Sequence, residues 1–94
     1  FAAYVATKAG AHSLAMSFAR ELAPEVRVNT IEPGPILFLD EHGDAWRQQV
    51  LARTPLAREG GLEPIWQAVT LLMANDYMTG ASIRVDGGRA LAVI

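Results

Sequence analysis

Two side chains near the front of the sequence are placed to do acid–base chemistry together. Tyr4 and Lys8 stand four residues apart in Tyr4-Val5-Ala6-Thr7-Lys8, and on a helix that spacing puts both on one face, one turn apart. A phenol titrates near pH 10 and is a poor proton donor at neutral pH, but a neighbouring ammonium favours the phenolate. At about 4 Å and an effective dielectric of about 20, one such charge contributes on the order of 4 kcal/mol. A tyrosine tuned in this way serves as a general acid/base toward a carbonyl or imine undergoing reduction. The same spacing also arises as a surface tyrosine beside a solvated lysine. Here the pair is surrounded by Ala2, Ala3, Ala6, Ala9, Gly10 and Ala11, which leave room for a flat ligand or for a closely packed second helix.

The elements that must position this pair can be read in order. Ala2 to Ala23 reads as a helix with an apolar stripe through Val5, Leu14, Phe18 and Leu22, ended by Pro24, which disfavours helical geometry at the residue before it. Val26 to Ile31 is β-branched and alternating, which predicts a strand. Helix, proline and strand in quick succession make the step of a parallel α/β layer. Pro33-Gly34-Pro35 then forms a stiff loop at the strand's carboxyl end, either a tight connection or part of the crevice where open parallel sheets take ligands. Ile36 to Leu39 is apolar within a loop, a short core segment or a greasy wall over a site. Asp40 to Asp44 holds one histidine among carboxylates without helical spacing and reads as a solvated turn rather than a metal cluster. Asp44 is placed to cap a helix from Ala45 to about Arg53 that exposes Arg47, Gln48 and Gln49 and buries Trp46, Val50 and Leu51. Thr54 to Gly61 connects. Glu63-Pro64 opens a helix whose Ile65, Ala68, Val69, Leu72 and Met73 keep helical spacing, a core or subunit contact. Ala81 to Val85 reads as a second strand, closed by Asp86-Gly87-Gly88. The order is helix, strand, lid, helix, strand: an α/β layer.

Composition narrows the partners. The 94 residues are 51% hydrophobic and 19% charged, with net charge −2, which fits one modest globular unit and gives no reason to expect nucleic acid or an anionic membrane. No apolar run is long enough to span a bilayer. The absence of cysteine removes disulfides and thiolate metal sites and fits an intracellular, cytoplasmic setting. The leading Phe1 and the apolar Ala90-Leu91-Ala92-Val93-Ile94 make the sequence read as a portion of a longer chain.

Taken together, Tyr4-x-x-x-Lys8 in an alanine-rich helix, Arg27-Val28-Asn29 leading to Pro33-Gly34, the helix opened by Pro64, Thr79-Gly80 and Val85-Asp86-Gly87-Gly88 resemble the carboxyl-terminal part of a short-chain dehydrogenase/reductase. The resemblance covers essentially the whole sequence. Ser17-Phe18-Ala19-Arg20, Leu22-Ala23-Pro24-Glu25-Val26, Ile36-Leu37-Phe38, Arg47-Gln48-Gln49 and Asp86-Gly87-Gly88-Arg89 narrow it to the pteridine reductase branch. It implies the carboxyl-terminal half of a Rossmann-type doubly wound parallel sheet. Residues 1–94 would form part of one NAD(P)-binding domain, with a substrate lid at about 36–62. It further implies a dimeric or tetrameric enzyme that moves hydride from NADPH, with NADH as the alternative, to a dihydropterin, with some activity on dihydrofolate. Tyr4 would donate or orient the proton, and Lys8 would hold the nicotinamide ribose hydroxyls and make the tyrosine more acidic. Backbone groups at Pro33, Gly34, Pro35 and Ile36 would take the carboxamide, and Leu37, Phe38 and Trp46 would wall a flat ring. The long first helix, and the Ile65 to Met73 helix with its following strand, would be subunit contacts.

The sequence departs from the family where its glycine-rich phosphate loop, Asn-Ala-Gly segment and upstream Ser or Asp would lie; none is within these residues. An apolar Ile36 to Leu39 run also replaces the usual Ser or Thr after Pro-Gly. The 94 residues are therefore expected to be inactive alone and to need the remainder of their domain. Two other readings stay open. One is a short-chain oxidoreductase for another carbonyl or alcohol; the other is a non-catalytic association module built on the apolar stripes.

Overall fold

The computed structural model describes residues 2–39 and 41–91. Phe1, Asp40 and the Ala92-Val93-Ile94 part of the apolar tail lie outside them. The chain divides into two compact units, Phe1–Thr30 with Leu71–Ser82 and Ile31–Thr70 with Ile83–Ile94.

Helix α1 runs Ala2–Leu22, rich in alanine and ended by the turn into Pro24, where the Val26 N–H still donates to the Leu22 carbonyl (2.9 Å). Ala19 is its one buried residue, close to where a side chain on Gly80 would begin. The stripe read from the sequence points elsewhere: Val5, Leu14, Phe18 and Leu22 are 50, 55, 43 and 42% exposed. Gly10 lies inside α1, and a Cβ built on it would meet nothing within 4 Å. Glycine costs a helix interior roughly 0.5–1 kcal/mol relative to alanine. Gly10→Ala is therefore expected to raise the thermal midpoint, checked by circular dichroism; a lowered midpoint would mean that another surface lies against this face.

The first strand, β1, is Thr30–Pro33 rather than Val26 to Ile31. The residues before it are held mainly by side chains, beside one backbone bond in which Gly80 N–H donates to the Val28 carbonyl (2.8 Å). Val28 N–H donates to Thr79 Oγ1 (3.1 Å), Asn29 Nδ2 donates to the Met78 carbonyl (3.0 Å), and Asn29 Oδ1 accepts from Ala81 N–H (2.9 Å). Arg27 also donates to the Met78 carbonyl (3.0 Å). These bonds satisfy the extended segment without the regular exchange that defines a strand. The second strand, β2, is Ser82–Val85, and the two form a two-stranded sheet. Thr30 N–H donates to the Ala81 carbonyl and Gly34 N–H to that of Val85. Donor and acceptor advance together along the chain, so the strands are parallel.

Helix α2 is Asp44–Ala52. Its N-cap is Gly43, with no side-chain cap bond. Asp44 is thus a first-turn residue that complements the helix dipole, not the cap expected of it. Helix α3 is Glu63–Ala74, with Pro64 in the first turn as expected. Ala68 is buried, while Ile65, Val69 and Leu72 are half-buried; Met73 is 68% exposed. A short 3-10 turn, Arg89–Leu91, follows β2.

Candidate active site

On α1, Tyr4 and Lys8 share a face as their spacing requires. The Lys8 Nζ lies over the tyrosine ring, 5.5 Å from its centroid. At an exposed position such a cation–π contact contributes about 0.5–1 kcal/mol, and Tyr4 is 61% exposed. The two side chains are neighbours on the helix face, as their spacing requires. Thr7, between them, turns its hydroxyl back to the Ala3 carbonyl (2.8 Å) and offers nothing outward.

In the second unit, the Pro33-Gly34-Pro35-Ile36 loop is fixed from two sides. Gly34 N–H donates to Val85 (3.0 Å), while Gly60 and Gly61 N–H groups donate to the Pro35 and Ile36 carbonyls (2.9 and 2.8 Å). Gly34 is required here: a Cβ would stand 2.6 Å from Asp86 Cα and Cβ. Of the backbone groups expected to meet a carboxamide, those three are spent inside the loop. The Ile36 N–H and the Gly34 carbonyl take no part in these bonds.

Leu37, Phe38 and Trp46 are partly brought together. Phe38 and Trp46 pack edge to face at 5.6 Å, with His42 against Trp46 at 4.2 Å. Leu37 is 56% exposed. Trp46 is 46% exposed instead of buried, whereas Arg47, read as a solvated helix residue, is half-buried. The exchange has a local cause. Arg47 lays its guanidinium over Phe38 (5.7 Å) and donates to the Leu39 carbonyl (2.8 Å), so it lies along the loop, while Trp46 stacks on His42 with one side outward. His42 is no ligand in this arrangement: its Nδ1 accepts from Leu39 N–H (3.0 Å). Among the described residues no cluster of three or more His, Cys, Asp or Glu could hold a metal ion. None of their helices is long and apolar enough to cross a membrane.

Sequence reasoning overlooked Thr54, Ala57 and Glu59. Thr54 is 2% exposed and bonded to the Val50 carbonyl (2.8 Å). Ala57 holds φ at +57°. Glu59 accepts from the Phe38 N–H (2.7 Å), tying the connector to the aromatic loop. Only the Gly60-Gly61 pair hinted at so close an approach.

The first unit carries the tyrosine–lysine pair on a helix face, and the second carries the tightly held Pro33-Gly34-Pro35 loop. Residues 1–90 match the family described as enoyl-(acyl carrier protein) reductase, and the chain belongs to the short-chain dehydrogenase/reductase family. It is similar to the dihydromonapterin reductase of Klebsiella pneumoniae subsp. pneumoniae, 43% identical over 89 residues. It is also similar to that of Escherichia coli O6:K15:H31, 44% identical over 90 residues. Each match takes in 95% of this chain and 37% of the relative, so the chain spans little more than a third of their length. That share agrees with the resemblance to a carboxyl-terminal portion of the pteridine reductase branch. Among solved structures, FolM alternative dihydrofolate reductase 1 from Brucella canis, complexed with NADP, superposes with a TM-score of 0.85 at 31% identity. The match covers 97% of this chain and 36% of that one. A small-chain dehydrogenase in complex with NADPH gives 0.77 at 34% identity, over 88% and 40%.

Proposed function

We propose that the chain is the carboxyl-terminal portion of an NADPH-dependent reductase of dihydropterins, assembled as a dimer or tetramer in the cytoplasm. The observation that carries this reading is the outward-facing Tyr4–Lys8 pair on a helix lined with alanine.

The residues present fit a nicotinamide nucleotide by the chemistry of their donors. The Lys8 ammonium has three N–H donors for ribose hydroxyls, and the Ile36 N–H and Gly34 carbonyl are left over for a carboxamide. When bound, the cofactor supplies hydride. Tyr4 Oη then holds the proton destined for the substrate nitrogen or oxygen. Phe38 and Trp46 present aromatic surface to a flat ring. Leu37 extends that wall, and the 36–62 segment serves as the lid over it within a single NAD(P)-binding domain.

The relatives' names favour pterins over other carbonyl substrates, since both dihydromonapterin reductases and a dihydrofolate reductase are among them. The full-length protein is expected to oxidise NADPH in the presence of a dihydropterin, followed by the loss of absorbance at 340 nm. Turnover of simple ketones in preference to dihydropterins would overturn the substrate assignment. The 94 residues alone are expected to bind NADPH too weakly to change its fluorescence, because no glycine-rich phosphate loop lies within them.

A further inference from the structure

At the carboxyl ends of β1 and β2, within the second unit, a cleft of about 270 Å³ opens between the Pro35-Ile36 loop and the Asp86-Gly87-Gly88 turn. Ligand pockets for whole small molecules run from about 300 to 1,000 Å³, so this is room for one arm of a larger compound. Its walls include the apolar Pro35, Ile36, Leu56 and Pro64, and two arginines, Arg58 and Arg84, line it as well.

The two cations differ in how far they are already neutralised. Arg84 Nε stands 3.6 Å from the Glu32 carboxylate and 4.0 Å from that of Asp86. Asp86 is itself held by the N–H groups of Gly88 and Ala90 (both 2.9 Å). Arg58 makes no ion pair among the described residues; it reaches only the Glu59 carbonyl at 3.4 Å. The nearby Glu59 carboxylate is engaged by Phe38 N–H instead.

The wall carrying Arg58 is rigid. Thr54 is buried, Leu56 N–H donates to the Gly87 carbonyl (2.9 Å), and a Cβ on Gly88 would come within 2.9 Å of the Pro55 ring. Ala57, directly before Arg58, holds a left-handed backbone that side chains rarely adopt. We propose that this cleft is a tail subsite that takes an aromatic ring bearing a carboxylate, with Arg58 as the principal anion contact and Arg84 as the secondary one. In terms of the reductase reading, on which the choice of compound rests, the subsite accepts the p-aminobenzoyl-glutamate arm of a dihydrofolate-type substrate. An unconjugated dihydropterin would leave it empty. Apolar walls suit the ring, and a guanidinium fork suits the carboxylate.

The test measures binding of p-aminobenzoyl-glutamate, and of its neutral diamide, to the full-length protein by titration calorimetry. The unaltered protein is expected to prefer the dicarboxylate at least tenfold. Arg58→Met is expected to abolish that preference, and Arg58→Lys to restore part of it. Equal affinity for the two compounds, or a preference unchanged in Arg58→Met, overturns the subsite. Arg58 is exposed and in a connector, so its replacement leaves the core intact. NADPH oxidation with a tail-less dihydropterin reports separately on the reductase reading. Arg58-dependent probe binding without turnover keeps the subsite and removes the reductase; turnover with Arg58-independent binding does the reverse.

Discussion

Tyr4→Phe in the full-length protein is expected to lower kcat for dihydropterin reduction by about 10²–10⁴-fold, the range that a positioned general acid contributes. The substitution removes one oxygen and keeps the ring, so the surface under the Lys8 ammonium survives. The dissociation constant for NADPH should therefore move little. A fall shared by kcat and kcat/KM marks an interaction made only in the transition state, which separates proton donation from simple docking. Because Tyr4 is 61% exposed, the loss cannot be a disguised folding defect; circular dichroism of the variant should match that of the parent. An enzyme that keeps a third or more of its turnover without this hydroxyl would take Tyr4 out of the proton path.

The second large effect is structural. Gly34→Ala places a carbon 2.6 Å from Asp86 Cα and 2.8 Å from its carbonyl oxygen, and both are backbone atoms that cannot rotate away. One of two bonded strand ends must shift, straining the Gly34 N–H bond to Val85. Overpacking of this kind costs about 1–3 kcal/mol, and a domain of this size loses roughly 4–8 °C of thermal midpoint for each kcal/mol. A drop of at least that size is expected by calorimetry, with Gly10→Ala as a control that carries the same added methyl into open space. Equal midpoints for Gly34→Ala and the parent would show that the strand ends are looser than the structure has them.

The helices were legible because their signals are local. Pro24 ends α1, Pro64 opens α3, and both boundaries fall within a residue or two of where the sequence puts them. The first strand was displaced because its alternating Val26-Arg27-Val28-Asn29 gives no sign that Asn29 and Thr79 would do the pairing through side chains. Burial was the least legible property. Val5, Leu14 and Trp46 have the spacing of core residues, yet they stay 50, 55 and 46% exposed. At the candidate site, Tyr4 and Lys8 follow from helical geometry alone. The position of the ammonium over the ring depends on rotamers that spacing does not fix. Arg58, Thr54 and Ala57 carry no motif at all; their placement comes from the close approach of the connector to Gly87 and Gly88.

The outward apolar side chains of α1 and α3 bear on how this polypeptide handles in a test tube. Leu14, Phe18, Leu22, Trp66, Leu71 and Met73 all present much of their surface to water, enough greasy area for copies to stick to one another. A net charge of −2 supplies little mutual repulsion to keep them apart. Spectra and titrations of the isolated 94 residues will consequently drift with protein concentration, and dilution series belong in any measurement made on them.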